Sequence, residues 1–229
     1  MQYKFLLFDL DHTLFDFDSA EDIALSNLLK EQGVAEIQAY KDYYVPMNKQ
    51  LWRDLEDGKI TKKELIQSRF SKLFAYFGIE KDGVLLAKSY QHHLSQQGQI
   101  YEGVEQLLDT LTDKQYELYA ATNGIDFIQT RRLLHSGIAP YFNQVFISDR
   151  LQVQKPLPAF YDKIAKQIPN FKKEEALMIG DSLSADIAGG TKAGIDTVWY
   201  NPENTLNTTD YQPTYTVRSY NELMALLVK

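Results

Sequence analysis

The chain has no cysteine, which removes disulfides, thiolate zinc sites and cysteine nucleophiles. It has no apolar run long enough to span a bilayer, so no membrane partner is expected. Basic residues are in the minority. There are 24 Lys+Arg against 31 Asp+Glu, a formal net charge of −7. Holding polymeric nucleic acid takes a basic stripe that neutralises phosphates, so that class is not expected. A small phosphorylated substrate stays open, because one metal ion and one lysine reverse a local field. The opening residues Met1-Gln2-Tyr3-Lys4 lead at once into an apolar segment and leave no room for a signal peptide. A cytoplasmic location is the default expectation. What is present is ordinary for a globular domain: 44% apolar and 24% charged residues. A length of 229 residues suits one large domain, or a domain carrying an insertion.

The stretch "FLLFDLDHTLF" (5–15) runs apolar residues straight into Asp9 and Asp11. Residues 3–9 read as a strand covered on both faces. Carboxylates at its end are either solvated or placed for chemistry, since buried charge is costly unless paired or metal-bound. Residues 19–32 then show helical spacing, with Ser19 as an N-cap and Gly33 as a stop. Helical stretches follow near 36–55, 61–77 and 82–96, with Thr61 and Glu64 as a further capping pair. From about residue 100, helices at 103–112, 125–136, 158–168 and 184–193 alternate with strands at 117–122, 144–148, 175–180 and 195–200. A last helix covers 219–228, and 201–214 reads as a long polar loop. Alternation of this kind means a parallel sheet with helices on both faces. The expected architecture is α/β: a Rossmann-like core from residues 1–15 and 100–229, with an all-helical cap inserted at 16–99.

In an open parallel sheet, ligands bind beyond the carboxyl ends of the strands. The first strand ends in Asp9 and Asp11, and the second in Thr122-Asn123-Gly124. The third leads to Lys155-Pro156. The fourth ends in Gly180-Asp181-Ser182, with Asp186 close behind. Taken singly, each has a structural explanation. Asp181 can be a solvated strand end, Thr122-Asn123-Gly124 a capping turn, Lys155 a surface lysine, and Asp186 an acid complementing a helix dipole. Together they place four carboxylates, a hydroxyl, an amide and a lysine along one edge, which points to a site.

This ordered set resembles the haloacid dehalogenase-like superfamily. Asp9-Leu10-Asp11-His12-Thr13 matches its Asp-x-Asp-x-Thr motif, Thr122 its second motif, Lys155 its third, and Gly180, Asp181 and Asp186 its acidic fourth. The segments "MNKQLWRDLEDGKITKKELIQSRF" (47–70) and "GDSLSADIAGGTKAG" (180–194) resemble the pyrimidine 5′-nucleotidase branch, which acts on normal and modified pyrimidine nucleotides.

The resemblance implies a phosphoric monoester hydrolase that works through an aspartyl-phosphate. Asp9 is then the nucleophile and Asp11 the general acid–base. Mg2+, with Mn2+ as the other fitting ion, suits an oxygen-only set. It would be held by Asp9, Asp181 and the Asp11 carbonyl, with Asp186 orienting from behind. Thr122, the Asn123 backbone amide and Lys155 would hold the phosphate. The cap would hinge at about 15–18 and 96–100, and Phe15, Phe17, Tyr44, Asn48, Lys49 and Trp52 are the candidates for base contact. His12 replaces no required group.

Other activities on the same scaffold stay in view. A sugar-phosphate phosphatase or a phosphomutase would use the same motifs. A dehalogenase has no need of Asp11, because halide leaves without a proton. A non-catalytic regulator predicts eroded motifs, and none is eroded. A P-type ATPase needs membrane spans.

Overall fold

A computed structural model describes residues 2–228 of the chain. The elements run β1 (Phe5–Phe8), α1 (Phe17–Glu31), α2 (Ile37–Glu56), α3 (Lys62–Tyr76), α4 (Gly83–Ser95), α5 (Val104–Asp113), β2 (Glu117–Thr122) and α6 (Asp126–Ser136). Then come β3 (Gln144–Ile147), the single turn α7 (Ser148–Leu151), α8 (Pro158–Ala165) and β4 (Ala176–Gly180). A wide helical turn (Leu183–Ile187) runs into α9 (Ala188–Ala193) and is followed by β5 (Asp196–Tyr200), β6 (Tyr215–Val217) and α10 (Tyr220–Leu227). The chain forms two compact units. One contains the residues up to Phe17 and from Gly98 onward; the other is Asp18–Gln97.

The first unit is built on a six-stranded sheet in the order β3-β2-β1-β4-β5-β6, parallel throughout. β1 is central, and all four of its residues are buried, which explains its unbroken apolar run. Alternate side chains feed opposite faces. Leu6, Phe8, Leu118, Leu177 and Val198 pack with Leu107 and Leu111 of α5 and Leu223 of α10. Phe5, Leu7, Tyr119 and Met178 pack with Phe160, Tyr161 and Ile164 of α8. Strand order reverses at β1, whose Phe8 is in register with Ala120 of β2 and Ile179 of β4. Asp9, the end of β2 and Gly180-Asp181 therefore leave the sheet at nearly one level.

The second unit is helical. Thr61 and Glu64 form the expected reciprocal capping box at the start of α3. Its interior is aromatic: Tyr44 stacks on Phe70 at 5.2 Å, and Phe70 lies 5.0 Å from Tyr90.

Three local expectations are corrected, and one strand is added. Ser19 does not cap α1; the Phe17 N–H bonds the Phe15 carbonyl at 2.9 Å, so the helix begins ahead of Ser19. The 184–193 segment is a wide turn followed by a short helix, not one regular helix. The strand expected over 144–148 ends at Ile147, and Ser148 begins α7. The polar stretch 201–214 is the expected loop, and beyond it β6, a strand absent from the sequence reading, joins the sheet edge by pairing Val198 with Tyr215. The division between the units also falls at Phe17/Asp18 and Gln97/Gly98, inside the expected limits of 16 and 99. Both connecting segments belong to the α/β unit because Phe15 bridges Ile100 and the Asp16 N–H bonds the Gln99 carbonyl at 3.1 Å. No helix among the described residues is long and apolar enough to cross a membrane.

Candidate active site

The deep part of the site is organised by Lys155, which is only 1% exposed. Its ammonium donates to Asp9 Oδ1 at 2.6 Å, to Asp186 Oδ1 at 2.6 Å and to the Ala121 carbonyl at 2.7 Å. These use all three donors of an ammonium group. Asn123 fixes the lysine backbone from both sides: its Nδ2 donates to the Lys155 carbonyl, and its Oδ1 accepts from the Lys155 N–H, each at 2.9 Å. Asp186 Oδ2 accepts the Ser182 N–H at 3.0 Å. Gly180 allows this approach, because a Cβ there would lie 2.1 Å from Asp186 Oδ2. Thr13 donates its hydroxyl to Asp181 Oδ1 at 3.3 Å, and Trp199 Nε1 donates to the Asp181 carbonyl at 2.8 Å.

Charge and burial pull on these groups in opposite directions. Burial pushes the Asp9 carboxyl well above its usual range; the Lys155 charge opposes this, while Asp186, Asp181 and Asp11 add to it. Burial, helped by Asp186, pushes Asp181 up to about 8. Burial pulls Lys155 down, but Asp186 and Asp9 outweigh it and hold the ammonium above its ordinary value. Carboxylates that resist ionisation together are ready to share a cation. One oxygen each from Asp9, Asp181 and Asp186 lies within 4.8 Å of the others. The donor set is all oxygen, which suits a hard divalent ion.

Asp11 occupies different surroundings. His12 takes a left-handed backbone conformation (φ 60°), and the Phe15 N–H returns to the Leu10 carbonyl at 2.7 Å. This tight loop presents Asp11 toward α6. There Gln129 Nε2 donates to Asp11 Oδ2 at 2.7 Å, and Arg132 Nη1 donates to Asp11 Oδ1. Gln129 also donates to Thr122 Oγ1 at 3.0 Å, which links the end of β2 to the same network.

A family profile described as haloacid dehalogenase-like hydrolase matches residues 6–200. The chain belongs to the haloacid dehalogenase-like hydrolase family. It is 65% identical over 229 residues to pyrimidine 5′-nucleotidase PynA of Streptococcus pneumoniae, covering all of this chain and 97% of that protein. It is 30% identical over 230 residues to pyrimidine 5′-nucleotidase YjjG of Escherichia coli, covering both chains in full. It also superposes, with a TM-score of 0.95, on a magnesium-bound crystal structure of the HAD-hydrolase YfnB from Bacillus subtilis that reveals interdomain movement. The sequences there are 39% identical, and both chains are covered in full.

As a member of this family, the chain places Asp9, Asp11, Thr122, Asn123, Lys155, Asp181 and Asp186 in one unit, linked by the contacts above. Phe15 is in that unit too, but it is fully buried, with the Arg132 guanidinium 4.4 Å from its ring centre. Tyr44, Asn48, Lys49 and Trp52 belong to the helical unit. Within it, Tyr44 is a core aromatic; Asn48 is buried and donates to Glu21 at 2.9 Å; Trp52 packs against the Leu51, Leu55 and Leu65 cluster; and Lys49 is exposed. Gln129 and Arg132 were not anticipated from the sequence. The available signal was their spacing: with Ile128 and Leu133 they share the buried face of α6, so two polar side chains interrupt an apolar stripe directly after Thr122-Asn123.

Proposed function

We propose that the protein is a magnesium-dependent phosphatase that hydrolyses the 5′-phosphate of pyrimidine nucleoside monophosphates. The observation that carries the substrate class is the full-length 65% identity with PynA. The reaction class is supported by a buried carboxylate facing a lysine, with a second, differently held carboxylate two residues later.

The uncatalysed reaction is among the slowest known, and a covalent intermediate divides it into two easier steps. Asp9 attacks phosphorus and the P–O ester bond breaks. Asp11 gives its proton to the departing nucleoside oxygen. Asp11 then takes a proton from water, whose oxygen attacks phosphorus and releases phosphate from Asp9. The Thr122 hydroxyl, the Asn123 backbone N–H and Lys155, whose donor to Asp9 is released as Asp9 bonds phosphorus, hold the non-bridging oxygens, and the Asn123 side chain fixes the lysine in place. Asp9, Asp181 and the Asp11 carbonyl would hold magnesium, with Asp186 as orienting group, and the ion would supply compensation for the negative charge of nucleophile and phosphate. Of the residues expected to contact the base, Lys49 and Trp52 keep exposed surface, whereas Tyr44 and Asn48 are buried inside the helical unit.

A phosphate-release panel tests the reading. Pyrimidine monophosphates should turn over faster than purine monophosphates and sugar phosphates, and chelation of the divalent ion should stop all of them. Faster release from sugar phosphates would overturn the substrate class and leave the phosphatase standing.

A further inference from the structure

Arg132 is fully buried, and burying a guanidinium is costly unless a partner compensates it. Its Nη1 ends on Asp11 Oδ1, and its guanidinium carbon lies over two aromatic rings, 4.4 Å from the centre of Phe15 and 5.5 Å from that of Phe17. Three residues earlier on α6, Gln129 takes the other Asp11 oxygen at 2.7 Å. Its amide oxygen lies 3.4 Å from Arg132 Nη1. The two carboxylate oxygens of Asp11 thus each have a donor from one helix, and that helix is anchored to Thr122 through the same glutamine. Asp9 is served by a different cation, Lys155. A surface ion pair would leave Asp11 several rotamers. A buried guanidinium packed against two aromatic rings, with an amide beside it, leaves few.

We infer that Arg132 and Gln129 are positioning residues that set the Asp11 carboxyl for proton exchange with the leaving group. Neither touches the reacting phosphorus in this assignment; both act through Asp11. The inference rests on the proposed phosphatase reaction. It also makes a demand that a purely structural role would not. Proton donation matters in proportion to how poor the leaving group is. A nucleoside alkoxide needs the proton, whereas p-nitrophenolate leaves without one. The quantity kcat/KM reports every step through departure of the leaving group, so it isolates this half-reaction from the later attack of water.

The test compares uridine 5′-monophosphate with p-nitrophenyl phosphate in the full chain with magnesium, for wild type, Arg132→Met, Arg132→Lys and Gln129→Leu. Misplacing a catalytic group by about 1 Å costs on the order of 100-fold. The expected result is that Arg132→Met lowers the ratio of kcat/KM for the nucleotide to that for the nitrophenyl ester by about 100-fold. Gln129→Leu should lower it less, and Arg132→Lys should recover part of the loss. An unchanged ratio overturns the inference, whether both substrates slow equally or neither slows. Should Arg132→Met fail to fold, Gln129→Leu and Arg132→Lys decide by the same ratio. A wild-type protein that releases phosphate from neither ester overturns the phosphatase reading itself, before any variant is compared.

Discussion

Asp9 and Asp11 are the same residue type two positions apart, yet they meet different surroundings. The Asp9 side chain is buried against Lys155, a cation it shares with Asp186. The Asp11 side chain is 26% exposed and is held by the neighbours Gln129 and Arg132 on α6. The separation begins in the backbone. β1 ends at Phe8, so Asp9 continues the line of the strand into the sheet edge. The turn at His12 swings Asp11 toward a helix. One short loop thus provides a buried carboxylate suited to metal and phosphorus, and a partly solvated one suited to exchanging protons. Placing two titratable groups in unlike environments is how one site obtains two chemical roles from a single side-chain type.

The largest expected effect comes from removing the buried member. Asp9→Asn keeps the shape and deletes the proposed nucleophile, so turnover should fall by about 10⁴–10⁶-fold while the melting transition stays cooperative. Continuous phosphate release together with thermal unfolding checks both halves. Retained turnover would move the nucleophile elsewhere and dissolve the contrast with Asp11.

The two cations can be compared directly. Lys155→Met leaves both Asp9 and Asp186 without their shared partner in a buried place, and breaking such a pair costs about 3–5 kcal/mol. Arg132→Met leaves one partly exposed carboxylate that still has Gln129. Urea unfolding should therefore show the larger loss for Lys155→Met. Equal losses would mean that the deep and outer halves are held alike.

A smaller effect follows from pH. Folded Asp181 keeps its proton up to about pH 8, against 3.8 as its ordinary value, because of burial and the Asp186 charge. Between those values the folded chain binds more protons than the unfolded one, so this group's contribution to stability declines as pH rises from about 4 to about 8. A divalent ion held by Asp181, as proposed, would take the place of the proton. Its stabilising effect should be greatest at the alkaline end of that window and shrink toward the acid end. Melting temperatures with and without magnesium across the window measure this. An ion effect independent of pH would contradict it.

Much of this was legible in the chain because strand and motif coincide. Four apolar residues followed by an aspartate identify β1 and its exit, and Thr122, Lys155 and Asp181 each follow a readable strand. Asp186 has both of the roles open to it. It accepts an N–H at the start of a helical turn, and it faces the lysine. What stayed hidden depends on tertiary partners. Arg132 lies in a helix whose charged residues look solvent-facing until Phe15 and Asp11 are placed against it. β6 is three residues long in a polar stretch and gains strand form by pairing with β5. The wide turn at Leu183–Ile187 depends on the Ser182 hydroxyl meeting the Ala185 N–H and on Asp186 reaching back, which local propensity does not express.

The central position of β1 also bears on synthesis. Its two neighbours are β2 and β4, and β4 begins at Ala176. At roughly 5–20 residues per second, the ribosome needs on the order of 10–30 s between making β1 and making its last partner. Both edges of Phe5-Leu6-Leu7-Phe8 are open until β2 is made and one stays open until β4, while the contiguous Asp18–Gln97 segment already has its own internal contacts available. The nascent chain thus carries its stickiest strand longest with an edge unpaired, so chaperone demand during translation should centre on that tetrapeptide.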